Sequence, residues 1–264
     1  MGNNLLCMHK FIIISSGYNC SDKVRFCLNS VNNLGFKNWE AVFISDGSTD
    51  NTAIELLKHK ANPKFHIDIY NDNVGAAKRR YDAIKQYSKS PDDIIVLLGL
   101  DDALMPQALN YISDKYDEGS WMTYGTWMDQ KGVQLMKDNS FDIYFRESIH
   151  ESRDYRKVAF RATAPNTFRR FLFDELTEDD FKINGEWFTC TTESNMMFCF
   201  LEMCGKERIG VITTAIYIYN MRGSESTKNR IGASIQKEVY NEVISRPKKP
   251  LLTERKSVNN FLNK

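Results

Sequence analysis

Two adjacent carboxylates, Asp101 and Asp102, close an apolar run over residues 93–98 (Asp-Ile-Ile-Val-Leu-Leu). The run reads as a buried strand, and in open α/β sheets ligands bind beyond the carboxyl ends of the strands. Paired carboxylates at such a place repel each other unless a cation or a hydrogen-bonding ligand offsets them. A divalent metal carrying a diphosphate does both, because hard cations sit between one or two carboxylates and phosphate oxygens. The same pair suits the start of the next helix, where acidic residues are also favoured. On this segment alone the two readings stay open.

Three further segments carry ligand-holding residue types. At 45–50, Ser-Asp-Gly-Ser-Thr-Asp places Asp46 at a strand end before a glycine turn. Asp46 can accept hydrogen bonds from a base or ribose, or Asp46 and Asp50 can satisfy turn and helix-start amides. At 73–79, Asn-Val-Gly-Ala-Ala-Lys-Arg offers small residues, a helix start with free amides, and the cations Lys78 and Arg79. That suits an anion, and equally a solvated basic helix face. At 15–19, Ser-Ser-Gly-Tyr-Asn puts Tyr18 where it can stack on a base or lie as a half-buried surface aromatic.

The elements that must position these residues alternate in the first half. Strands are expected at 11–16, 39–45, 66–70 and 93–98. Helices are expected at 21–31, with Val24, Cys27, Leu28 and Val31 on one face, from a Ser48 or Thr49 cap to about residue 60, and at 75–87. Strands spaced by helices imply a mostly parallel sheet with right-handed crossovers. In the second half, 121–128 and 209–219 read as strands, 132–154 as loop, and 167–173 as the opening of a helix. Residues 192–205 read as a helix with Met196, Met197, Phe200, Leu201 and Cys204 on its apolar face, stopped by Gly205. From about residue 226 the chain turns polar, the Arg-Pro-Lys-Lys-Pro run at 246–250 breaks any helix, and a loosely held tail is expected.

Composition bounds the function. The 264 residues are 42% hydrophobic and 26% charged with a formal net charge of +1. That is enough chain for a real core, and the balance gives no support to nucleic-acid binding. No apolar run approaches the roughly 20 residues of a membrane span, and the first ten residues lack a signal peptide's features. Six scattered cysteines without a CxxC pair read as reduced thiols, which suggests a soluble cytoplasmic protein, possible contact with a membrane surface aside.

In order, Ile-Ile-Ser-Ser-Gly-Tyr-Asn (13–19), Ser-Asp-Gly-Ser-Thr-Asp-Asn-Thr (45–52), Asn-Val-Gly-Ala-Ala-Lys (73–78) and Leu-Asp-Asp-Ala-Leu-Met-Pro (100–106) resemble the nucleotide-sugar half of family 2 glycosyltransferases. The resemblance covers residues 10–110 well and implies a GT-A fold: an α/β, open, mostly parallel sheet flanked by helices, and an inverting enzyme. Carried over by position, Ser16, Gly17, Tyr18 and Asp46 would hold the base and ribose. Asn73, Gly75 and Lys78 would lie under the ribose and diphosphate. Asp101 would face the ribose and Asp102 a divalent metal, Mn²⁺ or Mg²⁺. Gly99 stands where the family often has a further Asp.

The second half resembles the family more faintly. Thr-Glu-Ser-Asn-Met-Met-Phe at 192–198 is similar to the helix carrying the catalytic base, where members usually have Asp and this chain has Glu193. A glutamate does the same proton transfer if the helix start shifts slightly, and it is also an ordinary first-turn acid favoured by the helix dipole. Glu186 and Glu202 are the next candidates. The run at 166–173 resembles a segment some members place near the acceptor. Arg222 stands near the place of a family histidine by the diphosphate, where a fixed cation would neutralise phosphate oxygens. Trp121, Trp127, Phe168, Arg169 and Trp187 suggest a sugar-binding acceptor pocket.

Together these imply a GT-A domain over 1–226, with residues 10–110 for the nucleotide sugar and 111–226 for acceptor and base, followed by a C-terminal helix or tail over 227–264. The implied reaction moves a sugar from a nucleoside diphosphate donor, by family habit UDP-linked with dTDP and GDP as alternatives, to a glycan hydroxyl. A nucleotidyltransferase on a similar scaffold would place a basic, glycine-rich loop after the first strand, where this chain has Ser-Ser-Gly-Tyr-Asn. A non-catalytic sugar- or nucleotide-binding protein derived from such an enzyme is the third reading. Oligomeric state is left open.

Overall fold

The computed structural model describes residues 9–134, 143–220 and 232–254. The first half follows the expected alternation: β1 Phe11–Gly17, α1 Val24–Asn32, β2 Trp39–Asp46, α2 Thr52–Leu57, β3 Phe65–Tyr70, α3 Ala76–Tyr87 and β4 Ile94–Gly99. Then come β5 Ala103–Leu104, α4 Ala108–Asp117, β6 Met122–Asp129, α5 Glu147–Ser152, β7 Asn166–Arg169 and α6 Arg170–Phe173. The hairpin β8 Lys182–Ile183 and β9 Glu186–Trp187, α7 Thr192–Met203, β10 Ile209–Tyr219 and α8 Ala233–Ser245 follow.

One eight-stranded sheet runs in the order β3-β2-β1-β4-β7-β6-β10-β5. β3, β2, β1 and β4 are parallel, β7 runs against both β4 and β6, and β10 returns parallel to β6. The apolar runs of β1 and β4 are explained by burial on both faces. Alternate side chains serve opposite cores: Phe11 and Ile13 pack with α1 and α4, and Ile12 and Ile14 pack with α3 and α7. The face of α1 (Val24, Cys27, Leu28, Val31) is buried as its spacing predicts.

Several expectations are corrected. Residues 166–169 form a strand, β7, before the short α6; the β-branched and aromatic pair Thr167-Phe168 slots between β4 and β6. Ser48 and Thr49 do not cap α2, which starts at Thr52. They bind the neighbouring loop: Asn19 N–H donates to Ser48 Oγ (3.1 Å), and Thr49 N–H donates to Asn19 Oδ1 (2.8 Å). The 132–154 stretch contains α5, and its residues 135–142 lie outside the described residues. Helix α7 ends at Met203, before Gly205, and is buried all round from Asn195 to Met203 rather than along one face.

The expected loose tail is tied down as far as residue 254. Val239 and Val243 of α8 join the α7 core. Leu252 N–H donates to Met203 O (2.9 Å), and Arg208 donates to the carbonyls of Leu252 and Thr253. The basic run at 246–249 is used internally: Arg246 donates to the carbonyls of Asp180 and Lys182, Lys248 pairs with Asp154, and Lys249 with Asp180. Among the described residues Cys20, Cys27, Cys190, Cys199 and Cys204 are free and buried, and no helix is long and apolar enough to cross a membrane.

A buried ion pair joins α7 to the 3₁₀ turn Tyr155–Lys157, which also reaches α8. Arg156 donates from Nε (2.7 Å) and Nη2 (3.0 Å) to the two oxygens of Glu202, and from Nη1 to Val243 O (2.6 Å). Glu202 is 1% exposed. Removing one partner strands a buried charge, so Glu202→Ala should cost about 3–5 kcal/mol in urea unfolding. The double replacement Arg156→Met, Glu202→Leu, which removes both charges, should recover most of that loss.

Candidate active site

A cavity of about 1080 Å³ opens at the carboxyl ends of β1, β2 and β4. Ser16, Gly17, Tyr18, Asp46, Asn73, Asp101, Asp102 and Glu193 all line it, so residues from three strand ends and from the start of α7 meet in one place.

Asp46 sits at the floor, 4% exposed. Its Oδ1 accepts from Arg79 Nε (2.7 Å) and Val74 N–H (3.1 Å), and its Oδ2 from Gly75 N–H (2.8 Å) and Asn73 Nδ2 (3.1 Å). A carboxylate offers about four acceptor positions, and these contacts use them. Asp46 therefore holds the 73–75 loop and the start of α3, the turn-satisfying role weighed for it. Gly47, with φ +69°, is required here: a Cβ would lie 2.4 Å from the backbone N of Asn73.

Gly75 and Lys78 do not line the cavity. Gly75 serves it through the amide given to Asp46, and Lys78 Nζ turns to both oxygens of Asp82 at 2.6 Å. The cation that α3 sends into the cavity is Arg80, 5% exposed, whose Nη1 donates to Glu193 Oε1 and whose Nε has no hydrogen-bond partner among the described residues; Lys237 of α8 lines the cavity as well. Helical spacing carries the signal that would have found it: Arg80 lies one turn beyond Ala76, which also lines the cavity, and Lys78 falls on another face. Arg222 lies outside the described residues.

The β4 carboxylates lean back over Gly99, where a Cβ would lie 2.5 Å from Asp102 Oδ2 and 2.9 Å from Asp101 Oδ1. The space of the absent side chain is thus filled by the carboxylates that follow it. Tyr217 hydroxyl donates to Asp102 Oδ2 (2.5 Å) and accepts from Gly99 N–H (3.1 Å), and Asn220 N–H donates to Asp102 Oδ1 (2.8 Å). Burial and the Asp101 charge push the Asp102 carboxyl up to about 7, against the pull of these two donors. Tyr217 and Asn220 lie just before Arg222 in the sequence, although neither stood out as a site residue.

Two adjacent carboxylates, one pushed toward its neutral form by burial and by the other's charge, suit a hard cation such as Mg²⁺ or Mn²⁺, which favours the ionised pair. Among the described residues no three His, Cys, Asp or Glu side chains converge. Such an ion would draw its remaining ligands from phosphate and water.

Glu193 stands in the first turn of α7. Burial opposes its ionisation, but the Arg80 charge and hydrogen bond outweigh it and keep the carboxyl below the usual range. Thr191, just before the helix, has φ +62°, a left-handed conformation uncommon for a β-branched residue. Such strain costs about 1–3 kcal/mol and persists where surroundings over-determine it. The fallback acids are placed elsewhere: Glu202 in its buried pair with Arg156, and Glu186 exposed on the β8–β9 hairpin. The expected aromatic acceptor pocket is dispersed. Phe168 is core, Trp121 packs on Phe171 and Arg208, and Arg169 lies over Tyr116. Trp127 lines the cavity beside Tyr219.

The model for "Glycosyl transferase family 2" matches residues 12–177. This chain belongs to that family. It is 25% identical over 178 residues to an "Uncharacterized glycosyltransferase MG060 homolog" of Mycoplasma pneumoniae, covering 58% of this chain and 60% of that protein. It is 32% identical over 99 residues to the poly-beta-1,6-N-acetyl-D-glucosamine synthase of Staphylococcus aureus, covering 38% of this chain and 23% of that protein. The chain thus spans less than two thirds of the length of either relative.

Among solved structures, S. aureus TarS 1–349 in complex with UDP-GlcNAc matches with TM-score 0.59 and 19% identity, over 83% of this chain and 60% of that one. The mannosyltransferase PcManGT of Pyrobaculum calidifontis, in complex with GDP-Man and Mn²⁺, matches with TM-score 0.57 and 14% identity, over 91% and 66%. The fold is GT-A: a mixed, mostly parallel sheet flanked by helices.

The Arg80–Glu193 pair has a pH signature. A carboxyl held below its unfolded value adds stability above that value and loses it as pH falls through the folded one. Glu193→Gln should therefore unfold at lower temperature than the wild type at pH 7, with the gap closing as pH drops below about 4. Thermal unfolding of both proteins across this range is the measurement.

Proposed function

We propose that the chain transfers a glycosyl group, with inversion, from a nucleoside diphosphate sugar to a hydroxyl of a glycan. The observation that carries this reading is that the strand-end pair Asp101–Asp102 and the helix-start acid Glu193 face one cavity. Family membership supports the reaction class. The UDP-GlcNAc bound to TarS and the named product of the S. aureus synthase support a UDP-sugar and a glycan acceptor.

In this reading Ser16, Gly17 and Tyr18 flank the base and ribose, and Asn73 borders the ribose. Asp46 acts chiefly by fixing the 73–75 loop. Glu193 takes the proton of the acceptor hydroxyl as its oxygen bonds to the anomeric carbon. The bond from that carbon to the diphosphate oxygen breaks, and its electron pair leaves with the nucleotide. No covalent enzyme intermediate is needed. Arg80 keeps Glu193 ionised and aimed.

Asp102 would hold a divalent metal with Asp101 beside it toward the ribose, as the Mn²⁺ with GDP-Man in PcManGT supports; such an ion would offset negative charge on the departing diphosphate. Tyr217 and the Asn220 amide hold Asp102 in place. The domain reading of residues 1–226 as transferase is kept as part of this proposal, with β7 joining the two halves through the sheet.

The test is nucleotide release and sugar transfer from a panel of UDP-, GDP- and dTDP-sugars, with Mn²⁺, Mg²⁺ or chelator. Glu193→Gln should lower transfer about 100- to 10,000-fold while donor binding persists. Asp102→Ala should weaken donor binding in the presence of metal. Donor binding without release in the wild type, with any acceptor offered, would replace the enzyme by a binding protein.

A further inference from the structure

A second concavity, about 680 Å³, lies between the β8–β9 hairpin and α8. Its volume falls within the roughly 300–1,000 Å³ typical of small-molecule sites. The hairpin is turned by Asn184 (φ +53°) and Gly185 (φ +85°), the Asn-Gly pair that favours a tight two-residue loop. This sets Trp187, partly exposed, on one wall.

Helix α8 divides this groove from the cavity described above. Ala233, Gln236, Lys237 and Tyr240 line the cavity, and Ile235, Glu238, Val239 and Glu242 line the groove. The two stripes follow from a 3.6-residue period. The two concavities meet at Thr189, which lines both and leads directly into the run that carries Glu193.

The lining limits what can bind. Glu186, Glu238 and Glu242 line it with one ammonium, Lys182, which already pairs with Glu178 at 2.6 Å; behind the walls Arg246 lies 3.6 Å from Glu242 and Lys78 lies over the Trp187 ring, so the lining itself carries a small negative excess. That lining disfavours a diphosphate or other multiply charged anion. Side-chain amides of Asn184 and Asn241 and the carboxylates suit hydroxyl groups, and Trp187 and the 46%-exposed Ile235 suit C–H faces. Hydroxyl edges with apolar faces and no charge describe a neutral saccharide chain.

We propose that this groove binds the part of a neutral acceptor glycan lying behind the sugar that receives the new bond, so that the acceptor enters past Thr189. The assignment rests on the glycosyl-transfer reading above and adds an extended, uncharged oligosaccharide as its acceptor class.

The test is calorimetric binding of cello- and chito-oligosaccharides of increasing length to the full chain, alongside donor hydrolysis. Affinity should rise with length until the groove is filled. Trp187→Ala should weaken the longest oligomer about tenfold, leaving monosaccharide binding and donor hydrolysis unchanged. Because Trp187 also packs on Tyr81, the exposed pair Ile235→Ala, Glu238→Ala serves as a second variant with the same expected loss. Affinities independent of length, variants that bind long oligomers like the wild type, or tighter binding of acidic oligosaccharides would each overturn the groove assignment. Length-dependent binding without hydrolysis of any donor would keep the groove and overturn the transferase reading instead.

Discussion

The buried carboxylate of Asp46 is the contact on which the candidate site depends. It gathers the Asn73 side chain, the amides of Val74 and Gly75 and the Arg79 guanidinium at the end of β2. These contacts fix where α3 begins and therefore its rotation about its axis. That rotation sends Lys78 outward to Asp82 and Arg80 inward to Glu193. A charge buried this deeply is stable only with such full compensation. One strand-end aspartate thus decides which cation of α3 faces the cavity and, through it, how the acid of α7 is held.

The parallel half of the sheet was legible in the sequence because its signals are local. β-branched runs of six or seven residues, broken by Gly17, Gly47 and Gly99 and separated by amphipathic helices, admit few arrangements. The failures were of another kind. Thr167-Phe168 carries strand propensity, yet its place is set by the gap between β4 and β6, a tertiary fact. The polar stretch from about residue 226 looked loose because the anchors of its described part, Glu202, Met203 and Arg208, lie far away in sequence.

The site was legible to a similar degree. Ordered motifs brought Ser16, Tyr18, Asp46, Asn73, Asp101, Asp102 and Glu193 to one cavity. What they could not tell was direction. Gly75 and Lys78 share the right loop and helix but point their useful groups elsewhere, and Arg80 is distinguished from its two basic neighbours only by helical phase. Tyr217 reaches Asp102 across the sheet from β10, and no local pattern encodes such a pairing. The aromatic residues that looked like an acceptor pocket were separated for the same reason: composition counts rings but does not place them.

Gly99 sets where the two acids that follow it can rest. With hydrogen in place of a side chain, Asp101 and Asp102 settle back against the strand, and Tyr217 locks one of them there. Adding a third carboxylate would therefore be no simple gain of a ligand, since the volume it needs is already occupied. The position behaves as a spacer: any side chain there would push both acids forward into the cavity and change the room left for a phosphate-bound ion. An acid introduced at residue 99 would therefore meet the carboxylates of Asp101 and Asp102, the second of them held by Tyr217.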